Sequence, residues 1–566
     1  MNRELFGVFG GIETFERFRD GDEFDEVLAG STVTVGISDA DLGTPGWSAS
    51  YAGEDGYCVL WGEVYVPADT ANAARWLLER YERDGRDALS ALNGSYVVVL
   101  DSTASDDSET FVATDPVRSR ACFYTDEPGA RVFGTDGAAV GRTIADPAVD
   151  RDGVLEFLHL GVTLGEKTAL EDLHRLPLDS RLRSTSVESL ERFVYRPETF
   201  DYVGELAERL ERALRRRSAL PGPKGVLLSA GYDSRIILSQ IDDIEESYTV
   251  GAPAAQEVRG AKRIANQYGA DHTAFPPDER YLRADESKIR YSHGIKESLH
   301  IHHAGYADEI EVGTMYHGLL CDTFFRGHFT AQETVDVLGK RVPTGRLDPD
   351  PDPVDALLEK FGYDRAASFD LADRTSFDVA PNAFVEGAID DEFDSRRSRA
   401  ASVQNALTCV GIANQPSMPF HDHLSDRFLT SFLATDRELI DWHLRTPPKY
   451  RTTDTFLEAC ERLDGDLLRH RPPDRPYDTT LLNEAERFVR RKTPFLSSFQ
   501  PSWPDRRTLF ERHDLDRHLL GDLEHVHALP ARHKLRLVDL RGWLECCSGP
   551  QDRLLPWLEP PAPSIT

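Results

Sequence analysis

Residues 224–240, "KGVLLSAGYDSRIILSQ", combine residue types that could bind phosphate. An apolar run ends in the small residues "SAGYDS", and apolar residues at helical spacing follow. Small residues let backbone N–H groups approach a ligand, and a helix N-terminus adds unpaired donors with partial positive charge. Ser229 and Ser234 add hydroxyl donors, and Asp233 is placed to hold Mg²⁺ against a polyphosphate. The alternative is an ordinary strand–turn–helix corner in which Asp233 or Ser234 only caps the helix.

Two later segments favour the phosphate loop over the ordinary corner. "YTVGAPAAQEVRGAKRIANQYGADHTAF" predicts a strand, a glycine, a helix, a glycine turn and a third strand. That order suits a mononucleotide-binding unit, in which the second strand ends beside the phosphate loop of the first. "EVGTMYHGLLCDTFFRGHF" then places Gly318 and Asp322 after another strand-like run, and Asp322 can give the metal a second carboxylate. Alone, such an aspartate would more often be a solvated loop acid or a helix cap.

The elements that must position these residues change in type near residue 200. Before it, "STVTVGIS", "GYCVLWGEVYV", "GSYVVVLDS", "ETFVATD" and "ARVFGTD" predict short strands, with an interrupted helical stretch between the second and third. After a predicted helix over residues 202–218, strands alternate with helices, which is typical of a parallel α/β sheet. From about residue 380 amphipathic helical patterns dominate. We expect two domains, residues 1–200 and 201–566, with the Pro/Asp-rich stretch "LDPDPDPVDALLEKFG" as an exposed insertion.

Composition restricts the partners and the compartment. The 566 residues include 97 Asp and Glu against 65 Lys and Arg, a formal net charge of -32. Such a chain repels nucleic-acid phosphates and anionic lipid, so we expect neither a nucleic acid nor a membrane as partner. The dispersed acidic residues are typical of a salt-adapted surface; an ordinary acidic cytosolic protein is the alternative. Seven scattered cysteines without zinc spacing, and no apolar signal or spanning segment, predict a reduced cytoplasmic protein without a structural metal.

Together these motifs resemble the asparagine synthetase family. "SAGYDS" is similar to the family's SGGxDS pyrophosphate loop, with Ala230 in place of the first glycine. "HGLLCDTFFRGHF" is similar to its GEGxDExxxGY segment, which puts Asp322 in the metal-binding place and Thr323 where an acidic neighbour is usual. "SMPFHDHLSDRFL" resembles the PFLDxxLVEF segment that packs under the active site.

The resemblance implies an α/β fold in two parts. "GEVYV", "ALSALNGSYVVVLDS", "DPVRSRACFYT" and "VFGTDGAAV" look like a class II glutamine amidotransferase domain, an Ntn-hydrolase-like αββα sandwich. A parallel-sheet domain like the adenine nucleotide α-hydrolases, with a helical C-terminal part, would follow. It would bind ATP and Mg²⁺, with Asp233 and Asp322 on the metal and Val250 and Gly251 near adenine. The nucleotide-binding residues it implies are Leu228, Ser229, Ala230, Gly231, Tyr232, Asp233, Ser234, Val250, Gly251 and Gly318.

Two departures from the family pattern affect the expected chemistry. If "FGVFG" stands for the family's CGIxG, Phe6 replaces the nucleophilic cysteine, and the "HRGPD" segment has no counterpart. Cys58 and Cys122 lie in apolar strand patterns and are expected to be buried, so we predict no glutaminase activity. The family's "KyxLR" lysine is also missing: Asp454 lies near that position, and Lys449 is the candidate replacement, although a lysine in "TPPKYR" is more often a surface residue.

The resemblance therefore implies an ATP-dependent, amide-forming ligase that activates a carboxylate as an acyl-adenylate and releases AMP and pyrophosphate. Asp233, Asp322 and Lys449 would be its catalytic residues. Its substrates would be a small-molecule carboxylate, either aspartate or a modified metabolite as in the β-lactam synthetases, and ammonia or an amine. The alternative is an ATP-binding regulatory or assembly protein that kept the fold without turnover, and a glutaminase with another nucleophile is a third. If the chain oligomerises, we expect a homodimer.

Overall fold

The computed structural model describes most of the chain. The described residues are 3–67, 70–102, 109–282, 284–336, 341–477, 482–483, 485–486, 490, 505–547 and 556–560.

Two antiparallel six-stranded sheets form the first part of the chain. Their strands are β1 (Glu4–Phe9), β2 (Glu26–Ala29), β3 (Thr34–Ser38), β4 (Ala49–Gly53), β5 (Gly56–Tyr65), β6 (Asn93–Ser102), β7 (Glu109–Thr114), β8 (Phe123–Glu127), β9 (Ala130–Gly134), β10 (His174–Arg175), β11 (Ser180–Leu182) and β12 (Val187–Ser189). The first sheet has the order β10-β8-β9-β1-β3-β2 and the second β12-β11-β7-β6-β5-β4. All five strands predicted here from sequence are present.

Alternating side chains of these strands build a sandwich with helices on both outer faces. Along β5, Val59 and Trp61 point into the core between the two sheets, whereas Cys58 and Leu60 pack on the other side against the helix Ala73–Asp84. This is the period-two alternation of a strand. The outer face of the first sheet packs on helices, including Arg151–Leu160 and the C-terminal Ala531–Cys546. The layers are therefore helix, sheet, sheet, helix, as predicted.

A five-stranded parallel sheet organises the second part of the chain. Its strands are β13 (Lys224–Leu227), β14 (Ile244–Val250), β15 (Asp271–Phe275), β16 (Thr314–His317) and β19 (Leu429–Phe432). The order is β15-β14-β13-β16-β19, so β13 is central and the chain reverses direction across the sheet after β15. The sequence did not reveal β19, because a short apolar run that is buried in a parallel sheet cannot be told from a helical segment by periodicity.

Helices cover this sheet and make up most of the remaining chain. A two-stranded hairpin, β17 (Gln332–Asp336) and β18 (Arg341–Leu347), precedes the Pro/Asp-rich stretch. The α-helices are Ile12–Phe15, Ala73–Asp84, Gly137–Gly141, Arg151–Leu160, Tyr202–Arg217, Asp233–Gln240, Gln256–Tyr268, Glu286–Ile289, Cys321–Phe325, Pro353–Phe361, Arg365–Arg374, Pro381–Arg396, Val403–Ala413, Met418–Arg427, Arg437–Arg445, Thr453–Leu463, Arg506–His513, Leu515–Leu520 and Ala531–Cys546. Among the described residues, none of the helices is both long and apolar enough to cross a membrane.

A buried ionic network joins the antiparallel part to the parallel part. Arg217 donates to Asp436 at 2.6 Å, and its Nε lies 3.4 Å from a carboxylate oxygen of Glu63 on β5. The other oxygen of Glu63 accepts the backbone N–H of Phe432 at 2.9 Å. Asn93, at the start of β6, donates to Asp436 at 3.1 Å. The side chains of Arg217, Glu63 and Asp436 are fully buried. Glu63 therefore depends on partners from the second part, whereas Arg217 and Asp436 pair with each other and each gain one further partner from the first.

Candidate functional site

The predicted phosphate loop lies at the carboxyl end of β13, at the point where the strand order reverses. The strands that follow β13 in sequence, β14 and β15, lie on one side of it, and β16 and β19 lie on the other. In open α/β sheets, ligands bind in the crevice at such a switch point. The loop and the residues after β16 flank this crevice.

Internal hydrogen bonds hold the loop in a shape that leaves donors for a ligand. The backbone N–H of Ser229 donates to the hydroxyl of Ser234 at 3.2 Å, and that of Gly231 donates to the hydroxyl of Ser229 at 3.1 Å. Both hydroxyls act as acceptors here, so their own hydrogens can point to a ligand. The helix Asp233–Gln240 begins without a side-chain cap. Its first N–H groups can therefore serve an anion.

Arg235 fixes the opposite, carbonyl side of the loop. Its guanidinium donates to the carbonyls of Ala230 and Gly231 at 2.7 and 2.8 Å. It also donates to the carbonyls of Leu467 and His470 at 3.0 and 2.6 Å. Four carbonyls are thus bound on one buried cation, which turns them away from the side on which a phosphate would lie. This role of Arg235 could not be predicted from the sequence, because nothing in "DSRIIL" indicates which carbonyls the side chain binds.

Two glycines allow close packing around the loop. A Cβ on Gly318 would lie 2.7 Å from the carbonyl carbon of Asp233 and 2.8 Å from the backbone nitrogen of Ser234. A Cβ on Gly260 would lie 2.7 Å from the Cβ of Ala230. Gly318 therefore lets the chain after β16 touch the start of the loop helix, and Gly260 makes room for the alanine that stands in the loop.

The two predicted metal ligands lie close enough to influence each other. Burial raises the pKa of Asp233, Arg326 opposes that shift, and the negative charge of Asp322 adds to it. Both oxygens of Asp233 accept hydrogen bonds from one nitrogen of Arg326, at 2.6 and 2.8 Å. Asp322 is more exposed, and an oxygen of its carboxylate lies 3.5 Å from Nδ1 of His328. The two carboxylates are thus close enough for their charges to interact, and one of them is held by a guanidinium.

The loop forms one wall of a cavity of about 510 Å³. Of the predicted nucleotide-binding residues, Leu228, Ser229, Asp233, Ser234, Val250 and Gly318 line it. Ala230 and Tyr232 are buried within the loop, where the ring of Tyr232 lies near the guanidinium groups of Arg235 and Arg326, with centroid distances of 5.4 and 5.5 Å. Gly231 lies between them, and Gly251 bonds to the carbonyl of Phe275 at 2.8 Å. The prediction that Val250 and Gly251 contact adenine stays a prediction.

Lys449 lies outside this cavity. It is exposed on the short helix Pro448–Tyr450, and its ammonium lies 4.8 Å from the ring centroid of Tyr450. Among the described residues Lys449 forms no ion pair with Asp233 or Asp322, and Asp322 likewise does not line the cavity. Asp454 lies in the first turn of the helix Thr453–Leu463, away from the cavity wall. Thr323 is fully buried, and its hydroxyl donates to Asp322 at 3.3 Å.

Polar residues that no motif predicted also line the cavity. They include Tyr281, His300 and Arg506. They come from three separate stretches of the chain, so their assembly depends on the tertiary fold. Ser417 and its neighbour Phe420 begin the segment "SMPFHDHLSDRFL", which does lie against the cavity.

Comparison with known protein families gives a match over part of this region. Residues 205–287 match the asparagine synthase family. The matched segment contains the loop, the helix that follows it and the strands β13 to β15. This match supports the ATP-using, amide-forming class for the parallel-sheet part. No curated protein matches the chain.

Solved structures give weaker likenesses. Glutamine phosphoribosylpyrophosphate amidotransferase from B. subtilis, complexed with ADP and GMP, is 12% identical, with a TM-score of 0.20. That alignment covers 64% of this chain and 89% of that one. A structure described as the allosteric regulatory enzyme of purine biosynthesis is 12% identical, with a TM-score of 0.18, and covers 64% of this chain and 83% of its own. At scores this low, neither likeness carries an argument about this chain.

Proposed function

We propose that this chain is an ATP-dependent carbon–nitrogen ligase that activates a carboxylate as an acyl-adenylate and captures it with ammonia or an amine. The observation that carries the proposal is the "SAGYDS" loop at the switch point of the parallel sheet, with an uncapped helix N-terminus beside the cavity. The partial family match over the same residues supports it.

The loop would bind the β- and γ-phosphates of ATP. Its backbone N–H groups, with the hydroxyls of Ser229 and Ser234, would donate to phosphate oxygens, while Arg235 keeps the loop carbonyls turned away. Leu228 and Val250 offer an apolar wall for the base. When an oxygen of the substrate carboxylate attacks the α-phosphorus, the bond to the β-phosphate breaks and pyrophosphate leaves. Donors already in place for that anion lower the barrier, because they do not have to reorganise during the reaction.

The carboxylates of Asp233 and Asp322 would hold Mg²⁺. Mg²⁺ on phosphates is usually held by one or two carboxylates, with phosphate oxygens and water completing the shell. Asp322 offers oxygens directly, whereas Asp233 shares its oxygens with Arg326. Bound there, the ion would neutralise charge on the pyrophosphate. Among the described residues no group of three or more His, Cys, Asp or Glu forms a metal site, so phosphates would supply most of the ligands.

The polar lining residues of the cavity would bind the carboxylate substrate. Arg506 would contribute a positive charge, and Tyr281, His300 and Ser417 would contribute hydrogen-bonding groups. The acyl substrate would lie beside the loop, with its carboxylate within reach of the α-phosphate.

The nitrogen is proposed to come from ammonia or an amine and not from glutamine split by this chain. Phe6 is fully buried inside β1, and its ring packs against Phe15 and Phe24 at centroid distances of 5.9 and 6.3 Å. Burial raises the pKa of Cys58 and raises that of Cys122 to about 12, so neither thiol is poised to form a thiolate nucleophile. Release of ammonia from glutamine by the purified chain would contradict the proposal that glutamine is not the nitrogen source.

Exchange of labelled pyrophosphate into ATP tests the proposal. We expect exchange with at least one member of a carboxylate panel that begins with L-aspartate, measured with Mg²⁺ in concentrated salt. Asp233→Ala should reduce exchange to background, since it removes the carboxylate beside the loop. Asp390→Ala, an exposed aspartate on the helix Pro381–Arg396, should behave as wild type.

ATP binding without exchange across the panel would refute the ligase. It would favour the second candidate, an ATP-binding regulatory protein. The replacement of an acidic neighbour by Thr323 and the hold of Arg326 on Asp233 are the observations that favour this second candidate.

A further inference from the structure

Arg326 binds the carboxylate of Asp233 in the way that a cation would. A single nitrogen of its guanidinium, Nη1, donates to both oxygens of Asp233, at 2.6 and 2.8 Å. A nitrogen at similar distances from both oxygens lies between them, which is the position of a metal ion chelated by a carboxylate. Asp233 lines the cavity and Arg326 does not. The guanidinium therefore holds the metal-binding group of the loop without standing in the cavity itself.

The guanidinium of Arg326 depends on this one partner. Among the described residues Asp233 is the only acceptor to which it donates, and its buried Nε has no hydrogen-bond partner. The side chain of Arg326 is 10% exposed and that of Asp233 is 24% exposed. A mostly buried cation that loses its carboxylate is costly, so this pair is held more firmly than a surface ion pair.

The short helix Cys321–Phe325 brings Arg326 to the same place as Asp322. The backbone N–H of Arg326 donates to the carbonyl of Asp322 at 3.1 Å and ends this helix. Gly327 follows with φ of +68°, and a Cβ there would lie 2.6 Å from the carbonyl oxygen of Arg451. The turn after the helix thus requires glycine. One short segment supplies both an acid and a base to the site.

Asp322 lacks a cation of this kind. Its carboxylate accepts a hydrogen bond from the hydroxyl of Thr323 at 3.3 Å and lies 3.5 Å from Nδ1 of His328. Its side chain is 39% exposed, against 24% for Asp233. Burial lowers the pKa of Arg326, and the charges of Asp233 and Asp322 raise it by more, so both carboxylates act on one guanidinium.

We propose that Arg326 is a positioning residue that keeps Mg²⁺ from binding Asp233 until the phosphates of a nucleotide are present. The inference rests on the proposed function and adds an order of binding to it. One carboxylate that is open to solvent holds Mg²⁺ weakly, and the second is occupied by the guanidinium. Phosphate oxygens offer the guanidinium other acceptors, which arginine binds well. Asp233 and Asp322 are then both free for the metal, so magnesium binds together with ATP and not before it.

Binding of Mn²⁺ without nucleotide tests this role directly. Mn²⁺ takes the same oxygen ligands as Mg²⁺, and the fraction that is free in solution is measured by electron paramagnetic resonance. We expect Arg326→Met to bind Mn²⁺ about tenfold or more tightly than wild type, because positive charge is removed and both oxygens of Asp233 are released. Arg326→Lys keeps the charge and should stay within about threefold of wild type. Unchanged or weaker Mn²⁺ binding by Arg326→Met would refute the proposal.

Two further variants identify the site that gains the metal. The acidic surface of this chain also attracts Mn²⁺, so Asp233→Asn is added to Arg326→Met. This double variant should lose the gain in affinity; a gain that persists would place the metal elsewhere and overturn the proposal. Besides burial and Arg326, the charge of Arg475 also affects the pKa of Asp233. Arg475→Met should leave Mn²⁺ affinity within about threefold of wild type, and a rise equal to that of Arg326→Met would reduce the effect to general electrostatics.

Binding of ATP without metal gives an opposite readout. In EDTA, Arg326→Met leaves Asp233 and Asp322 without a cation beside the phosphates. We therefore expect calorimetric titration to show ATP affinity about tenfold or more below that of wild type. Equal affinity of the two proteins would contradict the transfer of the guanidinium to phosphate. A misfolded variant would lose both ligands, whereas the proposal requires that Mn²⁺ binding is gained and ATP binding is lost.

The two titrations also separate this inference from the proposed function. If wild type binds no ATP with or without Mg²⁺, the proposed function fails. The Mn²⁺ titration then still decides whether Arg326 keeps a metal from Asp233. If wild type supports pyrophosphate exchange and Arg326→Met binds Mn²⁺ as wild type does, the function stands and the role of Arg326 is refuted.

Discussion

Replacement of Gly318 by alanine should damage the phosphate loop through backbone contact alone. The new Cβ would lie 2.7 Å from the carbonyl carbon of Asp233, 2.8 Å from the nitrogen of Ser234 and 2.9 Å from the Cβ of Asp233, whereas ordinary contact begins at 3.4 Å. All three atoms belong to the first turn of the loop helix, and two of them are backbone. No side-chain rotation can relieve these contacts, so the start of the helix must move.

The expected loss of ATP affinity follows from how far these distances fall below an ordinary contact distance. The nearest atom must retreat by about 0.7 Å, and overpacking of this kind costs about 1–3 kcal/mol. Because the moved atoms include the N–H groups that would bind phosphate, we expect ATP affinity to fall by about tenfold or more, which corresponds to about 1.4 kcal/mol. Calorimetric titration of wild type and Gly318→Ala with ATP in concentrated salt measures this change.

Gly387→Ala is the matched control. Gly387 lies in the helix Pro381–Arg396, and a Cβ there would meet nothing within 4 Å. Alanine in a helix interior is about 0.5–1 kcal/mol more favourable than glycine, so this variant should bind ATP as wild type does and unfold at the same or a higher temperature. If Gly318→Ala also kept wild-type ATP affinity, the loop would not be the phosphate site.

Two further predictions follow from buried charged groups. Arg235→Lys should weaken ATP binding by about tenfold or more in the same titration, since an ammonium cannot hold the four carbonyls that the guanidinium holds; wild-type affinity would show that the loop keeps its shape without them. Burial raises the pKa of the Glu156 carboxyl from 4.5 to about 7, so the folded state binds this proton more tightly than the unfolded state does. The folded protein therefore loses stability as the pH rises from about 4.5, where the unfolded chain ionises, to about 7. Urea unfolding should show wild type losing up to about 3 kcal/mol relative to Glu156→Gln across this interval, and parallel pH profiles would contradict it.

The sequence predicted the elements whose pattern is local. The strand β5 alternates between two cores, and the loop is followed at once by its helix, so both patterns are legible within about ten residues. The strand β1 was missed because residues on both of its faces are buried: Phe6 and Val8 face one core, and Leu5 and Phe9 face the other. Because both faces are apolar, the run lacks the alternation of polar and apolar residues that would identify it as a strand.

The parts of the site that the sequence did not reveal depend on contacts between distant residues. Arg326 lies 93 residues from the Asp233 that it binds. Gly318 was predicted as a binding residue, but its closeness to the loop helix is visible only in three dimensions. Lys449 was chosen as a candidate because it lies near the family's lysine position in the sequence, whereas the structure places it on an exposed helix outside the cavity.

The network of Arg217, Glu63, Asp436 and Asn93 has a consequence for how this gene can change over time. A mutation that abolished every reaction in the first two hundred residues would still not make them dispensable. Deleting them would remove the Glu63 carboxylate from beside Arg217 and the Asn93 amide from Asp436, and would expose at a new surface an Arg217–Asp436 pair that is now fully buried. Selection for a stable second half would therefore also act on the first.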